Sequence, residues 1–208
     1  MKKLLLLSVL FVAVVSMSFK PEEEEVEKYP TLELGAQMPM KGYVMMNVNG
    51  DKYELGNAKR EKGTLVVFSC NTCPFVIQWE DRYPEIEQIA KATGVEFILV
   101  NSNAAKREGD DSFEAMKEHA EAQNYTMPYL VDESSKLANA FGAKTTPHVF
   151  LFNADGVLVY KGAIDDNSKS RNEVKEWYLN TALKQLASGR EITTPESAAK
   201  GCSIKRLK

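Results

Sequence analysis

The sequence predicts an α/β fold: a mixed central sheet flanked by helices, with a β-hairpin ahead of it. Three observations predict it. Residues 64–68 (Thr-Leu-Val-Val-Phe) form a short, continuous, β-branched run and 95–100 a second, largely apolar one, the mark of strands buried on both faces. Each is followed by a stretch whose apolar residues recur at helical spacing. The chain then closes with a second hairpin pattern and one last helix, an order that mixes parallel and antiparallel neighbours in one sheet.

The first elements concern delivery rather than fold. Lys2 and Lys3 precede an apolar run over residues 4–15, which ends at Ser16-Met17-Ser18. A charged start, a short apolar run and a small-x-small site read as a signal peptide over residues 1–18. The run covers about 12 residues against the roughly 20 that span a bilayer, so no stable membrane span is expected. The expected location is therefore exported, periplasmic or otherwise extracytoplasmic. No cysteine precedes Cys70, so nothing near the cleavage region could take a lipoprotein-type acyl chain. Residues 19–34, with Glu22 to Glu25 and Glu27, read as a solvated acidic leader, and 35–208 as a single domain with its own core. Without Lys2 and Lys3 the chain keeps 24 basic against 29 acidic residues, a formal charge of −5, and its Lys and Arg are dispersed. No nucleic-acid partner is indicated.

Within the domain, Asn49-Gly50 between two strand-like runs predicts a hairpin. Residues 64–68 lead straight into Cys70 and a helix bearing Phe75, Val76 and Trp79; Pro74 fits its first turn, whereas Pro84 should kink or split it. A strand over 95–100 precedes a helix over 112–122, capped by Asp111 or Ser112. A short strand at 129–131 and a brief helix at 136–141, ended by Gly142, come next. Runs 149–152 and 157–160 make the second hairpin, and residues 174–186 the closing helix, with Trp177 at core spacing.

The chemistry sits in the cysteines. Three in an exported chain cannot all pair internally, and a bridge between Cys70 and Cys73 closes too small a loop to staple a fold. A chemical use is the better reading. A thiol where a strand ends and a helix starts meets unpaired N–H groups and the helix dipole, which favour the thiolate. Cys70 is expected in that position as the attacking sulfur, with Cys73 resolving; the pair is a two-electron couple that needs no cofactor. A zinc site would need two more ligands, and only Cys202, His119 and His148 are at hand at irregular distances, so no metal is expected.

From about Gly35 to Lys205 the sequence resembles the thioredoxin superfamily, and within it the exported redoxin-like proteins. The carriers are residues 68–76 (Phe-Ser-Cys-Asn-Thr-Cys-Pro-Phe-Val), Thr146-Pro147 before a strand, residues 160–167 and the tail Gly201-Cys202-Ser203-Ile204-Lys205. The resemblance implies a thioredoxin-like fold and a protein thiol–disulfide oxidoreductase with Cys70 and Cys73 as catalytic residues. Its partners would be protein thiols or disulfides and a recycling redox protein. The resemblance also implies that Pro147 is cis and faces the cysteines, while Thr146 offers its backbone to a bound peptide.

Two departures are visible. The strand over 64–68 carries no acid to assist proton transfer; Glu80 could substitute, but it reads as a solvated helix-face residue. A peroxiredoxin would place Thr or Ser three residues before its reacting cysteine, and counting back gives Val67 or Cys70, so peroxidase chemistry is an alternative rather than the main reading. A second alternative is Cu(I) handling by Cys70, Cys73 and a histidine, which requires His148 or His119 beside both sulfurs. His148 reads otherwise as an ordinary strand-start residue, and Asp165-Asp166-Asn167 as a hydrogen-bonded turn rather than a calcium site. Cys202 is expected to be buried in a tail anchored by Ile204, with a third redox sulfur exchanging with the 70–73 pair, or an intermolecular disulfide, as the alternatives.

Overall fold

A computed structural model describes residues 28–57 and 61–207; the expected signal peptide and most of the acidic leader lie outside them. β1 (Val44–Asn47) and β2 (Lys52–Glu54) form the first hairpin, with Met45 opposite Tyr53. Its turn is fixed by Asn49, whose Oδ1 accepts the Asp51 N–H at 2.9 Å. β3 (Gly63–Ser69) leads to α1 (Pro74–Trp79), a 3-10 turn over Glu80–Arg82, and α2 (Tyr83–Ala92). Pro84 splits the helix at the expected place, because it can donate no N–H to the preceding turn.

β4 (Val95–Asn101) is followed by α3 (Phe113–Ala122), for which Ser112 is the cap: its Oγ accepts the Ala115 N–H at 3.2 Å. β5 (Tyr129–Val131), α4 (Lys136–Phe141), β6 (Thr145–Thr146), β7 (His148–Asn153) and β8 (Leu158–Gly162) follow, and the chain ends with α5 (Tyr178–Ala187) and β9 (Cys202–Ser203). The main sheet runs β2-β1-β5-β4-β3-β7-β8, with β3, β4 and β5 parallel and the other pairs antiparallel. Among the described residues no helix is long and apolar enough to cross a membrane.

Alternation along β3 explains why its centre, Leu65 to Phe68, is apolar on both faces. Leu65 and Val67 pack on one face with Trp79, Tyr83 and Ile86 and with Leu179 and Leu183 of α5. Val66 and Phe68 pack on the other with Met45, Leu55 and Phe141 of α4. Period-two side chains between two covered faces favour apolar residues on both, and the strand's polar residues, Thr64 and Ser69, stand toward its ends, where Ser69 Oγ meets the Tyr83 hydroxyl at 3.1 Å. On the second face Phe68, Phe141 and Phe150 meet edge to face at centroid distances of 5.3–5.7 Å.

Three local results differ from the pattern or add to it. The closing helix starts at Tyr178, not at Val174, because the preceding segment is held to a loop: the Lys175 N–H donates to Asp166 Oδ1 at 3.0 Å, and the Glu176 carbonyl accepts the Asp166 N–H at 3.3 Å. Residues 30–32, which the sequence assigns to the leader, lie against the end of α4. Leu32 N–H donates to the Phe141 carbonyl at 3.0 Å, and Gly142, at φ +60°, lets the Pro30 carbonyl approach to where a Cβ would stand. Finally, β6 and β9 form a ladder of their own beside the main sheet, with Thr146 opposite Cys202. The tail continues past this ladder until the Arg206 guanidinium lies 5.0 Å over the Tyr29 ring.

Candidate active site

β3 ends at Ser69, and residues 70–73 carry the chain to α1. The helix begins one residue after Cys73, so Cys73 is its N-cap, in extended backbone (φ −68°, ψ 124°). Cys70 thus directly follows the strand, as expected, while the helix start falls to Cys73 rather than to Cys70. Both residues are buried, Cys70 the more deeply at 2 % exposure against 5 %. Their sulfurs converge on one residue: Cys70 Sγ lies 3.3 Å from Thr146 Oγ1, and the Cys73 thiol donates to the Thr146 carbonyl at 3.2 Å. The Thr146–Pro147 bond that follows is cis, as the resemblance implies.

Electrostatics divide the pair. A hydrogen bond from Cys70 holds the Cys73 thiol below its ordinary range; Cys202 and the Val76 N–H of the first helical turn add to this. Cys70 is pushed up, first because it is that donor, then by burial and by the nearby Asp111 carboxylate. Cys70→Ala should consequently raise the Cys73 pKa, whereas Cys70→Ser, which keeps an O–H donor, should leave it closer to wild type. The pH dependence of Cys73 alkylation reads this directly, and equal profiles for the two variants would refute it.

A buried polar network fixes the loop between the cysteines. Asp111, 1 % exposed, accepts the Asn71 N–H at 3.0 Å, Asn101 Nδ2 at 2.7 Å and Asn103 Nδ2 at 2.9 Å. Asn71 also donates Nδ2 to the Asp110 carbonyl at 2.7 Å and accepts the Tyr129 hydroxyl at 2.9 Å. Sequence reasoning weighed Asp111 only as a helix cap and gave Asn71 no role. The one available signal was the polar cluster Asn101-Ser102-Asn103 directly after an apolar strand.

The remaining candidates fall elsewhere. Glu80 is not solvated: it is 8 % exposed, held by His119 Nε2 at 2.6 Å and by the Tyr125 hydroxyl. His148 accepts the Lys144 N–H on Nδ1 at 3.2 Å, and burial, with Lys144 and Lys161 nearby, drives its pKa down to about 3, so it is neutral at ordinary pH. Asp165 caps its own turn by accepting the Asn167 N–H and also holds Trp79 Nε1 at 2.6 Å. Among the described residues no three His, Cys, Asp or Glu side chains are grouped to hold a metal ion.

The family model for Redoxin matches residues 30–177, more than half of the chain. The chain belongs to the Redoxin family. This redoxin is similar in structure to an uncharacterized conserved protein of Geobacillus kaustophilus, at 33 % identity over 86 % of this chain and 95 % of that one, with a TM-score of 0.78. A hypothetical protein of Sinorhizobium meliloti 1021 aligns at 28 % identity over 86 % and 97 % of the two chains, also with a TM-score of 0.78. At 18 % identity, the thioredoxin domain of a thiol-disulfide oxidoreductase from Bacteroides vulgatus shares the fold over 64 % and 90 %, with a TM-score of 0.52. No curated protein matches the sequence. The redoxin is thus a thioredoxin-fold member of a redox family, with both of its paired cysteines inside the matched region.

Proposed function

We propose that this redoxin is an exported thiol–disulfide oxidoreductase that exchanges disulfides with other proteins through a Cys70/Cys73 couple, with Thr146 and Pro147 bordering the substrate. The convergence of both sulfurs on Thr146 carries the reading, because it puts a polarised thiol pair beside the β6 edge, which pairs with the chain's own β9 and can pair with a peptide once β9 lifts. The Cys73 thiolate attacks one sulfur of a substrate disulfide, forming a mixed disulfide and releasing the other substrate sulfur. Cys70 then attacks Cys73, and its proton goes to the departing substrate thiolate. The substrate gains two electrons, and a dithiol partner restores the couple; run in reverse, the same steps oxidise. Export rests on the order of charged, apolar and small residues at the start of the chain.

The test uses a Cys202→Ser background, so that only the two active-site sulfurs are read. Against a disulfide-bonded secreted protein, Cys70→Ser should accumulate a mixed disulfide at Cys73, at least ~10-fold more than Cys73→Ser does at Cys70, because a thiolate is the nucleophile and a raised thiol is not. Greater trapping by Cys73→Ser would reverse the roles. Trapping by neither would remove the couple from the mechanism.

A further inference from the structure

The tail brings a third sulfur to this couple. β9 lies antiparallel to β6 with Cys202 opposite Thr146, the residue on which both active-site sulfurs converge, and directly opposed residues in such a ladder have Cα atoms about 4.5–5.5 Å apart. The approach depends on Gly201, where a Cβ would come within 2.2 Å of the Thr146 carbonyl oxygen. Beyond the ladder the tail is docked along its length. Ile204, 5 % exposed, joins the core and donates its N–H to the Lys144 carbonyl at 3.0 Å. The Lys205 carbonyl accepts the Ala105 N–H at 2.8 Å, and Arg206 donates to Asn139 Oδ1 and to the Ala143 carbonyl. Cys202 itself, half-buried rather than buried as the sequence suggests, packs against the cluster formed by Cys70, Cys73 and Val76. The edge that a substrate peptide would use is thus filled by the chain's own residues, with a cysteine where a substrate's cysteine would stand.

We propose that Cys202 is a third redox sulfur, an internal substrate that takes the disulfide from the 70–73 couple. The inference rests on the reading of that couple as redox-active. Cys202, deprotonated, attacks the Cys73 sulfur of the oxidised pair; the 73–202 bond forms as the 70–73 bond breaks, and Cys70 leaves as a thiolate that takes up the proton Cys202 gave up. The two-electron oxidation stays within the chain, and no outside oxidant or reductant is consumed. Tail and substrate compete for one edge, so a substrate must displace β9, and in doing so it withdraws Cys202 from Cys73.

The experiment equilibrates Cys70→Ser, which keeps Cys73 and Cys202, in a millimolar glutathione redox buffer and maps the disulfides by mass after non-reducing digestion. A 73–202 bridge should exceed the Cys73–glutathione mixed disulfide at least ~10-fold, since neighbouring sulfurs held in one site have an effective concentration far above that of the buffer. Cys70→Ala must give the same bridge, which guards against a disturbance from serine at a buried position. Glutathione on Cys73 with Cys202 free to alkylate overturns the inference. Cys202→Ser is the separate control: if it forms no 70–73 disulfide in the same buffer, the reading of the couple falls instead.

Discussion

Replacing Arg82 with alanine is expected to lower the stability of the fold by about 3–5 kcal/mol, the cost of removing one partner from a buried ion pair. The guanidinium is 3 % exposed and donates Nε to Asp165 Oδ2 at 3.2 Å, Nη1 to the Gln78 carbonyl at 2.8 Å and Nη2 to the Asn167 carbonyl at 2.9 Å. Without it the Asp165 carboxylate, 1 % exposed, keeps Trp79 and the Asn167 N–H but no compensating charge. For a chain of this size each kcal/mol moves the melting temperature by about 2–4 °C, so a fall of roughly 6–20 °C is expected. Asp165→Asn, which still accepts from Trp79, should cost less. Replacing both partners by apolar residues should recover much of the loss, because the penalty belongs to the unpaired charge. A melting point within 2 °C of wild type for Arg82→Ala, ~1 kcal/mol or less, would show that the pair contributes nothing.

Asp111→Ala should strike the active site itself. Two buried donors, the Asn71 N–H and the side-chain amide of Asn103, lose their acceptor, and the Asn101 amide keeps only the Tyr129 hydroxyl, at 3.1 Å. At about 1–3 kcal/mol for each unsatisfied group, the fold should lose roughly 3 kcal/mol or more. The consequence for exchange is larger than that figure suggests, because Asn71 lies between the two cysteines and its N–H is what Asp111 holds. A displacement of about 1 Å in a reacting group can cost ~100-fold in rate. The same substitution removes a negative charge that pushes the Cys70 thiol up, so the Cys70 pKa should fall even as exchange slows. Amide exchange at Asn71 and the rate of disulfide exchange together provide the check. Unchanged protection at Asn71 with a wild-type rate would disprove the role assigned to Asp111.

What was legible in the sequence, and what was not, divides by distance along the chain. Pro84 splits its helix, Asn49-Gly50 makes its hairpin, and the apolar runs become the central strands, because each depends on local chemistry or on periodicity that a short window contains. Glu80 reads as solvated because its partners, His119 and Tyr125, are 39 and 45 residues away, and an isolated glutamate on a helix gives no sign of them. Asp165 meets Arg82 and Trp79 across more than eighty residues in the same way. The start of α5 is misjudged for a related reason: the spacing at Val174 and Trp177 is helical, but Asp166 captures the backbone at Lys175 first. β6 and β9 are two residues each, too short for any period, so the sequence indicated an anchored tail without saying that it would pair beside Pro147. In the site, the cysteine pair and Thr146-Pro147 stood out as motifs; which thiol occupies the helix start did not, since that turns on a shift of three residues in where α1 begins.

The contact between Arg206 and Tyr29 joins the two ends of the described chain through a single ring. A half-buried cation over an aromatic face contributes about 0.5–2 kcal/mol, a factor of roughly 2–30 in the balance between a docked and a lifted tail. Proteolytic trimming that passes Tyr29 would loosen the tail by that factor. Reciprocally, whatever lifts the tail would free Tyr29 and leave the N-terminal segment that much easier to cut, as linkage between two equilibria requires.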